Sequence, residues 1–110
     1  MASGKTEVLF SGYKTTNSFE YRKFTTLGFA KTSVVFEVLG LGSGIQYTIR
    51  GYPVANMTPC SLASGEITTS SIVLVTSGLD IAMEEMDVGV KSLQDNYSGI
   101  ITVYVARKRR

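Results

Sequence analysis

A chain of 110 residues is the length of one domain, and its 44% hydrophobic residues can supply a core without disulfide support. Charged residues make up only 18% and histidine is absent, which removes the commonest general base and the commonest zinc ligand together. The formal charge is +2, but the last four residues, Arg107, Lys108, Arg109 and Arg110, are all basic; the remaining seven basic and nine acidic groups leave a mildly acidic body behind a basic tip.

Taken in chain order, the hydrophobic pattern has a period of two, the period of a strand with one face buried. Residues 1–4 read as a short amino-terminal arm, and Glu7-Val8-Leu9-Phe10 as a first strand. Phe19 to Phe24 carries charges on both faces, which suits an edge strand protected against uncontrolled pairing. Ser33 to Leu39 places Val34, Phe36 and Val38 inward; Ile45 to Arg50 places Ile45, Tyr47 and Ile49 inward. Gly40-Leu41-Gly42-Ser43-Gly44 lies between these two and reads as a hairpin turn, since glycine supplies positive φ without steric cost. Phosphate-binding glycine loops need a helix after the loop, whereas a strand follows here.

Tyr52 to Gly65 holds both prolines and is expected to be a long loop. Ser70 to Thr76 is a continuous apolar run, suited to a strand buried on both faces. Leu79 to Met86 is either one helical turn or an extended crossover. Asp87 to Leu93, with Val88 and Val90 inward, is expected to form a second hairpin with Ile100 to Val105, which turns Ile101, Val103 and Val105 to the core. The alternation of that last strand can run on through Ala106 and Lys108. The expected fold class is therefore all-β: an antiparallel β-sandwich of seven to eight strands, the jelly-roll among its topologies, in a single domain spanning 1–110. A closed barrel would give the same alternation.

The chemistry is sparse. One cysteine, Cys60, allows no internal disulfide, and without histidine to activate it a packed, buried or half-buried role is expected. Asp80, Glu84, Glu85 and Asp87 form the densest carboxylate group, but lack the spacing of a calcium loop, and a solvated acidic turn is the plainer reading. No cofactor or metal is expected, and no enzymatic activity. Residues 1–5 hold no apolar signal core and no apolar run approaches the ~20 residues of a membrane span, so a virion or cytoplasmic location is expected and no membrane partner. A nucleic-acid partner is not expected either, because the body is acidic and no basic stripe interleaved with aromatics stands out in the sequence.

Six of the 11 aromatic residues are tyrosine. Tyr13, Phe19, Tyr21, Tyr97 and Tyr104 are assigned to turns or outer faces, where rings serve oligomer interfaces or, alternatively, stack on carbohydrate. The candidate interface residues are Tyr21, Thr102 and Tyr104 on outer faces, with Arg107, Lys108, Arg109 and Arg110 pairing with Asp80, Glu84, Glu85 and Asp87 of a neighbouring copy.

A Thr/Ser/Gly-rich all-β chain with no histidine, one cysteine, few charges, an amino-terminal segment before the first strand and a basic end at Arg107 to Arg110 resembles the small virion accessory proteins of tailed phages: decoration, cement or tail-associated β-domains. The resemblance implies a non-enzymatic structural protein that associates with itself, most commonly as a trimer, and sits on a larger protein lattice. The alternative is a carbohydrate-binding or other ligand-binding β-sandwich module.

Overall fold

The period-two alternation becomes eight strands: β1 (Gly4–Lys14), β2 (Glu20–Thr25), β3 (Lys31–Gly40), β4 (Ile45–Tyr52), β5 (Cys60–Ile67), β6 (Ile72–Leu79), β7 (Glu85–Ser92) and β8 (Ile100–Lys108). The computed structural model describes residues 4–29, 31–69, 72–79, 83–94 and 97–109, and no helix occurs among them. The strands pair antiparallel in two sheets of four, in the orders β1-β8-β3-β6 and β2-β7-β4-β5. Only β4 and β5 are consecutive neighbours within a sheet; each of the other connections crosses from one sheet to the other. This is the jelly-roll arrangement, a double-sheet solution to the exposed-edge problem.

The core lies between the sheets. From one side come Phe10, Val34, Phe36, Val38, Ile101, Val103 and Val105; from the other, Phe24, Ile45, Ile49, Ile67, Met86, Val88 and Val90. Each of these larger side chains contributes about 1.5–3 kcal/mol on burial. The inward sets expected on β3, β4, β7 and β8 are found, with Tyr47 partly buried against Phe36 at 5.0 Å between ring centres. Tyr13, expected outside, packs inward on Phe10 at 5.0 Å. Register shifts between Val8 and Phe10, and between Phe10 and Tyr13, change the facing of β1 along its length.

Both expected hairpins are corrected. β3 and β4 lie in different sheets, as do β7 and β8. Their connections pack on each other at one end of the sandwich instead. Gly42 has φ +59°, and a Cβ there would sit 2.4 Å from the Ser98 carbonyl oxygen. Ser43 Oγ donates to the Tyr97 carbonyl at 3.1 Å and accepts from Gln94 N–H at 2.9 Å. The glycines are thus required by close approach of two loops as well as by turning. At the same end, Thr15 Oγ1 accepts from Gly99 N–H and shares a hydrogen bond with Ser92 Oγ, each at 2.8 Å, tying β1 to the β7–β8 connection.

The expected long loop after Tyr52 is shorter than expected, because Cys60–Ile67 forms edge strand β5. Small residues with mixed exposure hide its alternation. Cys60 is exposed rather than packed. The apolar run after Ser70 forms β6, which lies at the end of its sheet order and not in the middle. Phe19 to Phe24 supplies β2, and β2 is an edge as expected. The helical alternative for Leu79 to Met86 lies partly outside the described residues; Leu79 ends β6 and Glu85 opens β7.

Candidate functional site

Two outer sheet faces and one end of the sandwich carry the residues of interest. On the outer face of β2-β7-β4-β5, one row across the sheet reads Lys23, Asp87, Arg50 and Ser61. Asp87 is only 1% exposed. Arg50 grips it with Nε at 2.9 Å and Nη2 at 2.7 Å, and Tyr52 Oη donates to the same carboxylate at 2.7 Å. The hydrogen bond to Asp87 holds the Arg50 guanidinium more basic than usual. Burial, then the hydrogen bond to Asp87, pushes the Tyr52 hydroxyl above the usual tyrosine range.

Tyr21 occupies the next row, opposite Gly89. A Cβ on Gly89 would lie 2.5 Å from the Tyr21 ring, so this glycine is the seat on which the ring rests. The Arg50 guanidinium covers the ring at 3.8 Å from its centre. Lys23 lies 4.4 Å over the Tyr52 ring. This face is polar and aromatic, and its principal groups are occupied by one another.

The outer face of β1-β8-β3-β6 has another chemistry. Val8, Tyr104 and Val35 are register partners in one row, and Leu74 of β6 is the register partner of Val35. Thr6, Ala106 and Ser33 form the row beside it. On the other side are Thr102 and Glu37, then Lys14, Ile100 and Gly40. Val8 is 49% exposed, Ile100 42%, and Ala106 is also exposed. Tyr104 Oη donates to Glu37 Oε1 at 3.3 Å, and the Glu37 charge raises the Tyr104 hydroxyl above its usual range. The side chains of β6 lie outside the description.

The interface candidates are thus dispersed. Tyr21 and Tyr104 lie on opposite outer faces and cannot belong to one patch. Thr102 is buried, with its Oγ1 accepting from Gly12 N–H at 2.9 Å. Arg107 is no part of a tail. It is inside β8 with a fully buried side chain, bonded to Glu7 at 2.6 Å and to the Thr25 carbonyl, with its guanidinium 5.3 Å from the Phe29 ring centre. Lys108 ends β8 and is exposed; Arg109 lies over Phe29 at 5.6 Å. Glu84 accepts from Ala55 N–H at 2.8 Å, and Glu85 lies 3.8 Å from Lys23. Asp80 and Arg110 lie outside the described residues.

The expected ionic link between the basic end and a neighbour's acidic turn therefore loses two of its members. Arg107 and Asp87 are each buried in an ion pair within the chain. Register is what brings Glu7 to Arg107 and Arg50 to Asp87. No local pattern in the sequence announces either pair, each of which joins residues far apart in the chain. No group of three or more metal-ligating side chains occurs among the described residues, and among them no helix is long and apolar enough to cross a membrane.

No protein-family model matches this chain, and no curated protein matches it. Similar solved structures exist at low identity. The crystal structure of PirA superposes with a TM-score of 0.59 at 12% identity, covering 96% of this chain and 94% of that one. A chain from the structure of infectious bursal disease virus, Gx strain, superposes with a TM-score of 0.52 at 10% identity; the match covers 94% of this chain but only 31% of the viral one. These likenesses show the fold alone: the match takes in 94% of one chain and 31% of the other.

Proposed function

We propose that this protein is a non-enzymatic assembly module that associates with copies of itself through the outer face of β1-β8-β3-β6. The observation that carries the reading is the row Val8–Tyr104–Val35, an uncharged strip across three neighbouring strands with Val8 half exposed at its edge. Glu37 lies in the adjoining row, engaged by Tyr104 Oη, and lysines stand farther out: Lys31 and Lys108 at one end of the face, Lys14 at the other. An uncharged centre with charge toward the rim is the usual anatomy of a protein interface, and the strip, apart from the internally bonded Glu37 beside it, follows that anatomy. The virion setting implied by the resemblance to phage accessory domains belongs to this reading, and one similar solved structure is of a virus.

The carbohydrate-binding alternative needs an open aromatic platform. Tyr21 does not offer one, since Gly89 seats one side of the ring and Arg50 lies over it. A sugar would have to displace a guanidinium already fixed by Asp87.

Light scattering after size exclusion, over a concentration series at low and high salt, tests the reading. A defined multimer that persists at high salt is expected, because apolar burial is not screened as exposed ion pairs are. A monomer at all concentrations and both salts would refute self-association.

A further inference from the structure

The sequence shows a basic tip of four residues; the fold enlarges it. Antiparallel register sets Lys31 of β3 directly opposite Lys108 of β8, and Lys5 of β1 opposite Arg107. Arg109 follows, lying over Phe29. Lys5, Lys31, Lys108 and Arg109 are all exposed. Adjacent strands are about 4.8 Å apart, so these cations gather at one end of the sheet across three strands, a span of about 10 Å, with Lys31 and Lys108 on its outer face and Lys5 in the next row, on the face of Arg107. Glu7 is the acidic residue nearest in register, and Arg107 already engages it.

The corner is electrostatically unrelieved. Like charges directly opposite one another destabilise a sheet, yet Lys31 and Lys108 hold that position. Neither they, Lys5 nor Arg109 has a carboxylate partner among the described residues. The buried Arg107 Nε–H also has no acceptor among them. An anion placed here would lower the energy of a cluster that the chain itself leaves uncompensated.

We infer that this corner, built from Lys5, Lys31, Lys108 and Arg109, binds the phosphate backbone of a nucleic acid. Three observations favour that partner over an acidic protein. The charges are spread across three strands at one end of the sheet rather than gathered at one point. Lysine is depleted at protein–protein interfaces, and three of the four exposed cations are lysine. Arg109 lies over the Phe29 ring at 5.6 Å, so basic and aromatic groups neighbour each other at this corner. The expectation against nucleic acid rested on an acidic body and on the absence of a basic stripe interleaved with aromatics; the register of β1 and β3 gathers basic residues that the sequence keeps apart.

The test is fluorescence anisotropy of a labelled thymidine oligonucleotide of about 20 nucleotides, between about 50 and 200 mM salt. Four phosphate contacts predict a slope of log affinity against log salt of about −3, each contact contributing about −0.7 on a single strand. Lys31→Glu with Lys108→Glu should weaken binding at least tenfold, while Lys14→Glu, on the far end of the same sheet, should change it less than twofold. Circular dichroism should show both proteins folded. Absence of binding at the lowest salt, or equal loss in both proteins, would overturn the inference. So would a Lys31→Glu/Lys108→Glu protein whose multimeric mass falls while oligonucleotide binding persists, since the corner would then be a protein connector. Failure of self-association alone leaves this corner unaffected, because the oligonucleotide is scored on the monomer as well.

Discussion

On the outer face of β2-β7-β4-β5, Arg50, Asp87, Tyr52 and Tyr21 use up one another's charges, hydroxyls and ring faces. On the outer face of β1-β8-β3-β6, Val8, Val35 and Ala106 surround a tyrosine whose one polar atom is already bonded to Glu37. Both faces cover the same core and belong to sheets of equal strand number. The first is closed by its own polar network and asks for no partner. The second presents apolar surface whose burial would be favourable and non-directional. Stability and association are therefore divided between two faces, and substitutions should separate them.

The largest effect is expected on the closed face. Asp87→Ala would strand the Arg50 guanidinium and leave the Tyr52 hydroxyl without its acceptor. Loss of one partner of a buried pair costs about 3–5 kcal/mol; with the Arg50 side chain 28% exposed, about 3 kcal/mol is expected. Urea denaturation would measure it, and the association constant of the remaining folded protein should not change.

The reverse pattern is expected on the open face. Val8→Lys places a charge at the exposed edge of the Val8–Tyr104–Val35 row, where a partner would have to desolvate it. Self-association should weaken at least tenfold in sedimentation or light scattering. Stability of the monomer should move by no more than about 0.5 kcal/mol, as for other surface substitutions. A large loss of stability with unchanged association would dissolve the contrast between the faces.

A smaller effect should appear at alkaline pH. Burial and Asp87 raise the Tyr52 hydroxyl above 10.0, and Glu37 raises that of Tyr104. The folded chain thus holds both protons more tightly than the unfolded chain. Their contribution is fully present below pH 10.0 and is lost as pH rises through the higher folded values. Denaturation midpoints should fall through that window, and Tyr52→Phe should flatten the fall by removing the part owed to the closed face.

These contrasts also mark what the sequence discloses. The inward residues of β3, β4, β7 and β8 are legible because alternation is a local property of a strand with one buried face. The edge position of β2 is legible from its charges. Strand order is not: a glycine-rich turn that reverses within a sheet and one that crosses to the opposite sheet use the same residues, so Gly40 to Gly44 reads as a hairpin when it is a crossing. β5 is hidden because Ser61, Ala63, Ser64 and Gly65 carry no alternation of hydrophobicity. The site depends on pairings across about a hundred residues, Lys5 with Arg107 and Val8 with Tyr104, which only the closing of the chain ends side by side creates. For the same reason Arg107, expected to pair with a neighbouring copy, is instead buried in a pair with Glu7 of its own chain.

The central claim is that the face bearing Val8, Val35 and Tyr104 is where copies of this chain meet. Amide and methyl resonances followed by NMR through a dilution series test it most directly, because both faces are observed in one sample. The account predicts concentration-dependent shifts at Val8, Val35, Tyr104 and Ala106, with Tyr21 unmoved along with Thr48 and Lys91, which stand on the same outer face of β2-β7-β4-β5. Shifts confined to Tyr21, Thr48 and Lys91, or none on either face up to the highest concentration reached, would contradict it.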